Sequence, residues 1–243
     1  MASNRKHRYS DSRGFGDPYE GFTLDPPELR EDPTKVDPVD DYALADLLDD
    51  WNVKRDDITP QELIDLGLTY LQFGFHPEAA DAFERAARLA DEDSIVAQEA
   101  WVNKGVAHSQ IEEFDEAIGA FREALRIHDH NEFAALAEMN LAFALWEDGN
   151  SSEPLEHAER AVELDSRLPQ AWFNLGFFYT ERALWEDAAE CFEKAITLGY
   201  RTATVYEEQA RALEALGNYV DAETAAEAAA TIRAEGQKRL LTE

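Results

Sequence analysis

A single pattern recurs five times between Pro60 and Arg233, and it limits what this 243-residue chain can fold into. Its fullest copy is Trp172, Leu175, Gly176 and Tyr179, followed by Ala188 and Phe192. The first copy has Leu63, Leu66, Gly67 and Tyr70, then Ala79 and Phe83. The second has Trp101, Gly105, Ala117 and Phe121, with Lys104 and His108 at the places of Leu175 and Tyr179. Glu138, Leu141, Ala142 and Leu145, then Pro154 and Ala158, form a weaker third copy. Tyr206, Ala210, Leu213, Ala222 and Ala226 form a degenerate fifth. An alanine three residues after each last mark (Ala86, Ala124, Ala161, Ala195, Ala229) fixes the register, with spacings of 38, 37, 34 and 34. The first two junctions therefore carry short insertions. One unit of this length cannot bury its own apolar face, so neighbours must stack and the ends need caps.

The local signals within each copy are helical. Thr59-Pro60-Gln61-Glu62 predicts a helix start, with Thr as cap, Pro at the first helical position and Glu completing a capping box. From there to Thr242 the chain reads as amphipathic helices joined by short turns, with no sustained strand alternation. Residues 1–39 hold five of the nine prolines among Gly, Asp and Glu, and predict a disordered acidic arm. Residues 40–58 predict a short amphipathic helix, with Tyr42, Leu44, Ala45, Leu48 and Trp51 on one side, and a linker. Its expected role is an N-terminal cap on the first repeat. Residues 59–243 form the repeat domain, which Ala230 to Leu241 close as an extension of the last helix or a following one.

Charge limits the partners. The chain has 52 acidic residues against 22 Lys plus Arg, a net charge of −30, spread along its length. Such a chain repels itself, and concentrated salt relieves the repulsion by shortening the screening length. The distribution points to the cytosol of a salt-accumulating halophile; acid gathered on one face would point instead to an acidic partner-binding protein. The folded part repels phosphates, which argues against nucleic acid. No apolar run approaches the roughly 18 residues of a membrane span. The basic start, Arg5-Lys6-His7-Arg8, is not followed by the hydrophobic stretch of a secretory signal. Cys191 is the only cysteine, which excludes a disulfide framework and suits a reducing compartment.

The marks of the fourth copy resemble the tetratricopeptide repeat (TPR) signature W-x₂-L-G-x₂-Y…A-x₃-F. The resemblance covers about Pro60 to Arg233 and implies an all-α, right-handed α-solenoid of about five helix pairs. It also implies a concave groove lined by the first helix of each pair, where asparagines hydrogen-bond the main chain of an extended peptide. Asn103, Asn140 and Asn174 stand at that place, two residues before the small mark. Asparagine is also common there in repeats without a ligand. Val102 and Val106, Met139 and Phe143, Phe173 and Phe177 are i, i+4 pairs on the same faces and would make the groove apolar. The alternative is that these phenylalanines pack between repeats. The central repeats lack the cations with which chaperone-binding relatives clamp a C-terminal carboxylate.

No catalytic set emerges, and no cofactor or metal is expected. His128-Asp129-His130 sits at a helix end, where histidine complements the dipole. His108 takes the place of a packing Tyr, and Cys191 reads as a semi-buried, inert thiol. Repeats fill nearly all the foldable length, leaving no room for a catalytic domain. The expected function is a non-enzymatic adaptor or scaffold that binds a protein or peptide partner. The alternative is a subunit of a stable complex or homodimer. Tyr9, Phe15, Tyr19 and Phe22 in the arm read either as a recognition motif or as sticky spacer.

Overall fold

The computed structural model describes residues 58–149 and 153–240. The expected arm and the Tyr42–Trp51 helix lie outside the described residues. Among those described are ten helices: α1 (Pro60–Gln72), α2 (His76–Leu89), α3 (Ile95–Gln110), α4 (Phe114–Ile127), α5 (Glu132–Glu147), α6 (Pro154–Leu164), α7 (Pro169–Glu181), α8 (Trp185–Thr197), α9 (Ala203–Ala215) and α10 (Tyr219–Leu240). No strand occurs among the described residues. The helices form two compact units, whose described parts are residues 58–129 and 130–240.

The expected capping box opens α1. Thr59 Oγ1 accepts from the Glu62 amide at 3.3 Å, and the Glu62 carboxylate accepts from the Thr59 amide at 2.7 Å. The Thr59 amide, joined by the Thr59 hydroxyl donating at 2.9 Å, holds the Glu62 carboxyl below its ordinary range. Ser94, Asn131 and Thr202 cap α3, α5 and α9 in the same way, each accepting from the amide three residues on. The insertions of the first two junctions mainly lengthen a first helix. Both α3 and α5 have 16 residues where α1, α7 and α9 have 13.

Consecutive helices pair through the marks. The Gly67, Gly105 and Gly176 backbones each lie against a phenylalanine sixteen residues on. A Cβ at these places would come within 2.5 Å of Phe83, 2.4 Å of Phe121 and 2.7 Å of Phe192. All three rings are fully buried and cannot swing aside. Pair α5/α6 solves the same space differently, with Ala142 opposite Ala158, both buried in one cluster. A larger residue on one helix is matched by a smaller one on the other. The register alanines are all buried. In the last pair the matching Ala226 is exposed, as suits the end of a stack, and α10 runs on unbroken to Leu240. Arg233 in that extension ties back to Glu207 of α9 at 2.7 Å.

The turns inside four of the five pairs share one geometry, in which a backbone amide reaches back five residues to a carbonyl. Phe75 bonds Tyr70, Glu113 bonds His108, Leu184 bonds Tyr179 and Asn218 bonds Leu213, at 2.9 to 3.0 Å. This closure requires a left-handed residue just before the donor. Gly74 and Gly217 supply it without strain, whereas Glu112 (φ 61°) and Ala183 (φ 59°) adopt it despite their Cβ atoms.

Candidate functional site

Five of the nine residues expected to line a groove are half-buried and four are buried. On α3, in the first unit, Val102 is buried while Asn103 and Val106 are half-buried. On α5, Met139 is buried, and Asn140 and Phe143 are half-buried. The Asn140 Nδ2 donates to the Leu136 carbonyl of its own helix at 2.9 Å. On α7, Phe173 and Asn174 are 2% and 5% exposed, and Phe177 is half-buried. Phe173 lies 5.8 Å from the Phe192 ring and 5.6 Å from Tyr200, in a cluster with Ala188, Val205 and Ala212. It joins pair α7/α8 to α9, the packing role set out as the alternative. Little of its surface is left for a ligand.

Helix α7 contacts α5 on one side and α9 on the other. The Phe177 ring meets Trp146 of α5 edge to face at 5.7 Å. Trp146 escaped the sequence reading; it follows Phe143 by three residues, on the same helix face.

Two polar atoms on α7 are buried without hydrogen-bond partners: Asn174 Nδ2, a donor, and Gln170 Oε1, an acceptor. Four residues apart, they share a helix face, about 6 Å apart along the axis. Their neighbour Thr180 is satisfied by donating to the Gly176 carbonyl at 3.0 Å. Gln170 also escaped the sequence reading, although its i, i+4 relation to Asn174 was available.

The row changes character on α9. Glu208 and Arg211 stand 34 residues after Asn174 and Phe177, so a carboxylate replaces the amide and a guanidinium replaces the ring. Arg211 Nη1 donates to Glu208 Oε2 at 3.2 Å and lies 5.9 Å from the Trp185 ring. Burial pushes the Glu208 carboxyl up; Arg211 opposes the shift, and Glu181 and Glu207 add to it. The second-unit face therefore runs from aromatic on α5 and α7 to acidic beside α9.

The remaining candidates occupy structural places. The Lys104 ammonium sits 2.6 Å from Glu84 and 5.0 Å from the Trp101 ring, inside its helix stack. His108 is not a purely apolar filler: its Nδ1 contacts Glu113 at 2.8 Å across the turn. The His128 carbonyl accepts from the buried Gln98 amide at 2.7 Å. Glu138, at the Trp mark, is buried between His157 at 2.6 Å and Arg160 at 2.9 Å. Cys191 is buried, and burial with Asp187 and Glu190 nearby pushes its thiol up to about 12. No described helix is long and apolar enough to cross a membrane.

A family model described as tetratricopeptide repeat matches residues 64–132 and 179–237. The "Probable UDP-N-acetylglucosamine--peptide N-acetylglucosaminyltransferase SPINDLY" of Hordeum vulgare is 25% identical over 145 residues, 58% of this chain and 15% of that protein. The chain thus spans less than a sixth of that relative. Among solved structures, PilF of Pseudomonas aeruginosa superposes with a TM-score of 0.62 and 26% identity, covering 71% of this chain and 75% of that one. YrrB, described as a TPR protein with an unusual peptide-binding site, gives a TM-score of 0.55 at 18% identity over 82% of this chain and 97% of its own.

Proposed function

The chain belongs to the tetratricopeptide repeat family, and we propose that it is a non-enzymatic adaptor that grips an extended peptide of a protein partner on the α5–α7–α9 face. The observation that carries this reading is the unpaired couple on α7. Both atoms are covered in the free fold, so a ligand main chain pairs them only once side-chain rotation exposes them. A buried amide donor or acceptor left without a partner costs about 1–3 kcal/mol, which that pairing regains. An extended main chain repeats its outward N–H and C=O groups every 6.6–6.8 Å or so, close to the axial separation of Gln170 and Asn174. Asn140 continues the row, and Phe143, Trp146 and Phe177 offer rigid area for an apolar ligand side chain. The likeness to YrrB supports a peptide ligand for this fold without specifying one. The first unit, taken by itself, carries the same residue types on α3, with Asn103 and Val106 half-buried and Val102 buried.

The working medium follows from the charge. At −30 the fold is suited to the salt-rich cytosol of a halophile.

The test is selection of binders from a random peptide display library by the full chain in molar KCl. The selected peptide should bind Asn174→Ala several-fold more weakly, a loss of about 1 kcal/mol, with melting unchanged. Equal binding by a well-folded Asn174→Ala would move the site off this face.

A further inference from the structure

The acidic end of the α5–α7–α9 face defines the chemistry of its ligand, and the chain carries a segment of that chemistry. Beyond the edge-to-face pair of Trp146 and Phe177, Glu181 follows Phe177 by one turn of α7 and lies near Glu208 of α9, with Arg211 as the cation bound to Glu208. Glu207 already holds Arg233. A ligand matching this face presents an aromatic ring to the Trp146–Phe177 pair and cations to the carboxylates. Within the first sixteen residues, outside the described part, Arg5, Lys6, Arg8 and Arg13 surround Tyr9 and precede Phe15, with Asp11 as the one acid. This is a cationic, aromatic run in a chain of net charge −30.

We propose that residues 5–15 of this chain dock on its own α5–α7–α9 face as a built-in competitor of the partner peptide. This inference rests on the peptide-binding reading above and names an occupant for that site. Charge complementarity sets the choice: the exposed Glu181 repels most of the chain and attracts this segment, while Glu208, already bonded to Arg211, adds less. In concentrated salt the range of attraction shrinks to about 3 Å, so the cations act only at contact. The aromatic side chains then supply most of the hold and the cations fix the register. Reach is not limiting. The roughly 40 residues that separate the segment from Ile58 span at most about 140 Å, and a link of this length corresponds to an effective concentration near the millimolar range. A segment with a dissociation constant of about 0.5 mM would then fill about two thirds of the sites.

The experiment uses the full chain in molar KCl with a photo-crosslinking phenylalanine analogue in place of Tyr9. Irradiation of dilute protein should give a product of monomer mass, cross-linked to Phe143, Trp146, Phe177 or their neighbours on α5, α7 and α9. An excess of free synthetic peptide of residues 3–16 should suppress it, and so should Glu208→Arg, by about tenfold. The peptide competition keeps the result decisive if Glu208→Arg does not fold. In parallel, Arg5→Glu, Lys6→Glu and Arg8→Glu combined should let the library-selected peptide bind about threefold tighter, as expected when about two thirds of the sites are self-occupied. Cross-links of dimer mass, cross-links elsewhere on the fold, or none at all would overturn the inference. Asn174→Ala binding is read in the same buffers, so peptide binding that depends on Asn174 without the internal cross-link refutes self-docking alone.

Discussion

Replacing Gly105 by alanine should change the sign of its effect according to what stands at position 121. In the native chain the new Cβ would lie 2.4 to 2.7 Å from three atoms of the Phe121 ring, which is fully buried. Overpacking of this kind costs about 1–3 kcal/mol, more than the roughly 1 kcal/mol that alanine gains over glycine inside a helix. Phe121→Ala alone opens a cavity and should lose about 3–5 kcal/mol. In that background nothing crowds the new methyl, so Gly105→Ala should stabilise by about 1 kcal/mol or more. The double variant recreates the Ala142/Ala158 arrangement already present in pair α5/α6. Urea unfolding of the four proteins, followed by far-ultraviolet circular dichroism in molar KCl, should give a coupling of about 2 kcal/mol or more. Loss of stability from Gly105→Ala in both backgrounds, with no coupling, would refute the account of how the helices pair.

Raising KCl from roughly 0.1 M to molar concentrations should raise the unfolding midpoint, because screening relieves the self-repulsion of 52 acids; a flat midpoint would remove the halophile reading. Ala183→Gly should stabilise by about 0.5–1 kcal/mol in thermal melts, since glycine takes φ 59° without a Cβ clash. Stability should also fall in alkali. The Cys191 thiol and the Tyr179 hydroxyl, the first raised mainly by burial and the second by burial and Glu159, both ionise near 12 in the fold. Their ordinary values are 9.0 and 10.0, so between those values and about 12 the unfolded chain binds fewer protons and gains as pH rises. Urea midpoints of native protein and Cys191→Ala, compared from pH 8 to 11, should converge as the cysteine contribution disappears.

Much of the fold was legible because its marks are steric. Glycine against phenylalanine sixteen residues later, and the alanine three residues beyond, report close helix approach whatever the surface sequence does. Thr59 and Glu62 were readable for the same reason, since a capping box is a local hydrogen-bond geometry. The site was less legible. A sequence gives the face of a helix but not the depth to which a side chain sinks. Phe173 and Phe177 share a face, yet Phe173 is covered by the next pair while Phe177 keeps surface beside Trp146. Gln170 gave no composition signal, because its meaning lies in an unpaired oxygen that only coordinates reveal. Glu208 and Arg211 were readable from the 34-residue period once the register was extended past Asn174.

The central claim is that the unpaired couple on α7 awaits a peptide main chain. A crystal structure of the full chain with the library-selected peptide tests it most directly. The account predicts a backbone carbonyl of the ligand within about 3.2 Å of Asn174 Nδ2 and a backbone amide within about 3.2 Å of Gln170 Oε1. A peptide bound elsewhere, with both α7 atoms still unpaired, would contradict it.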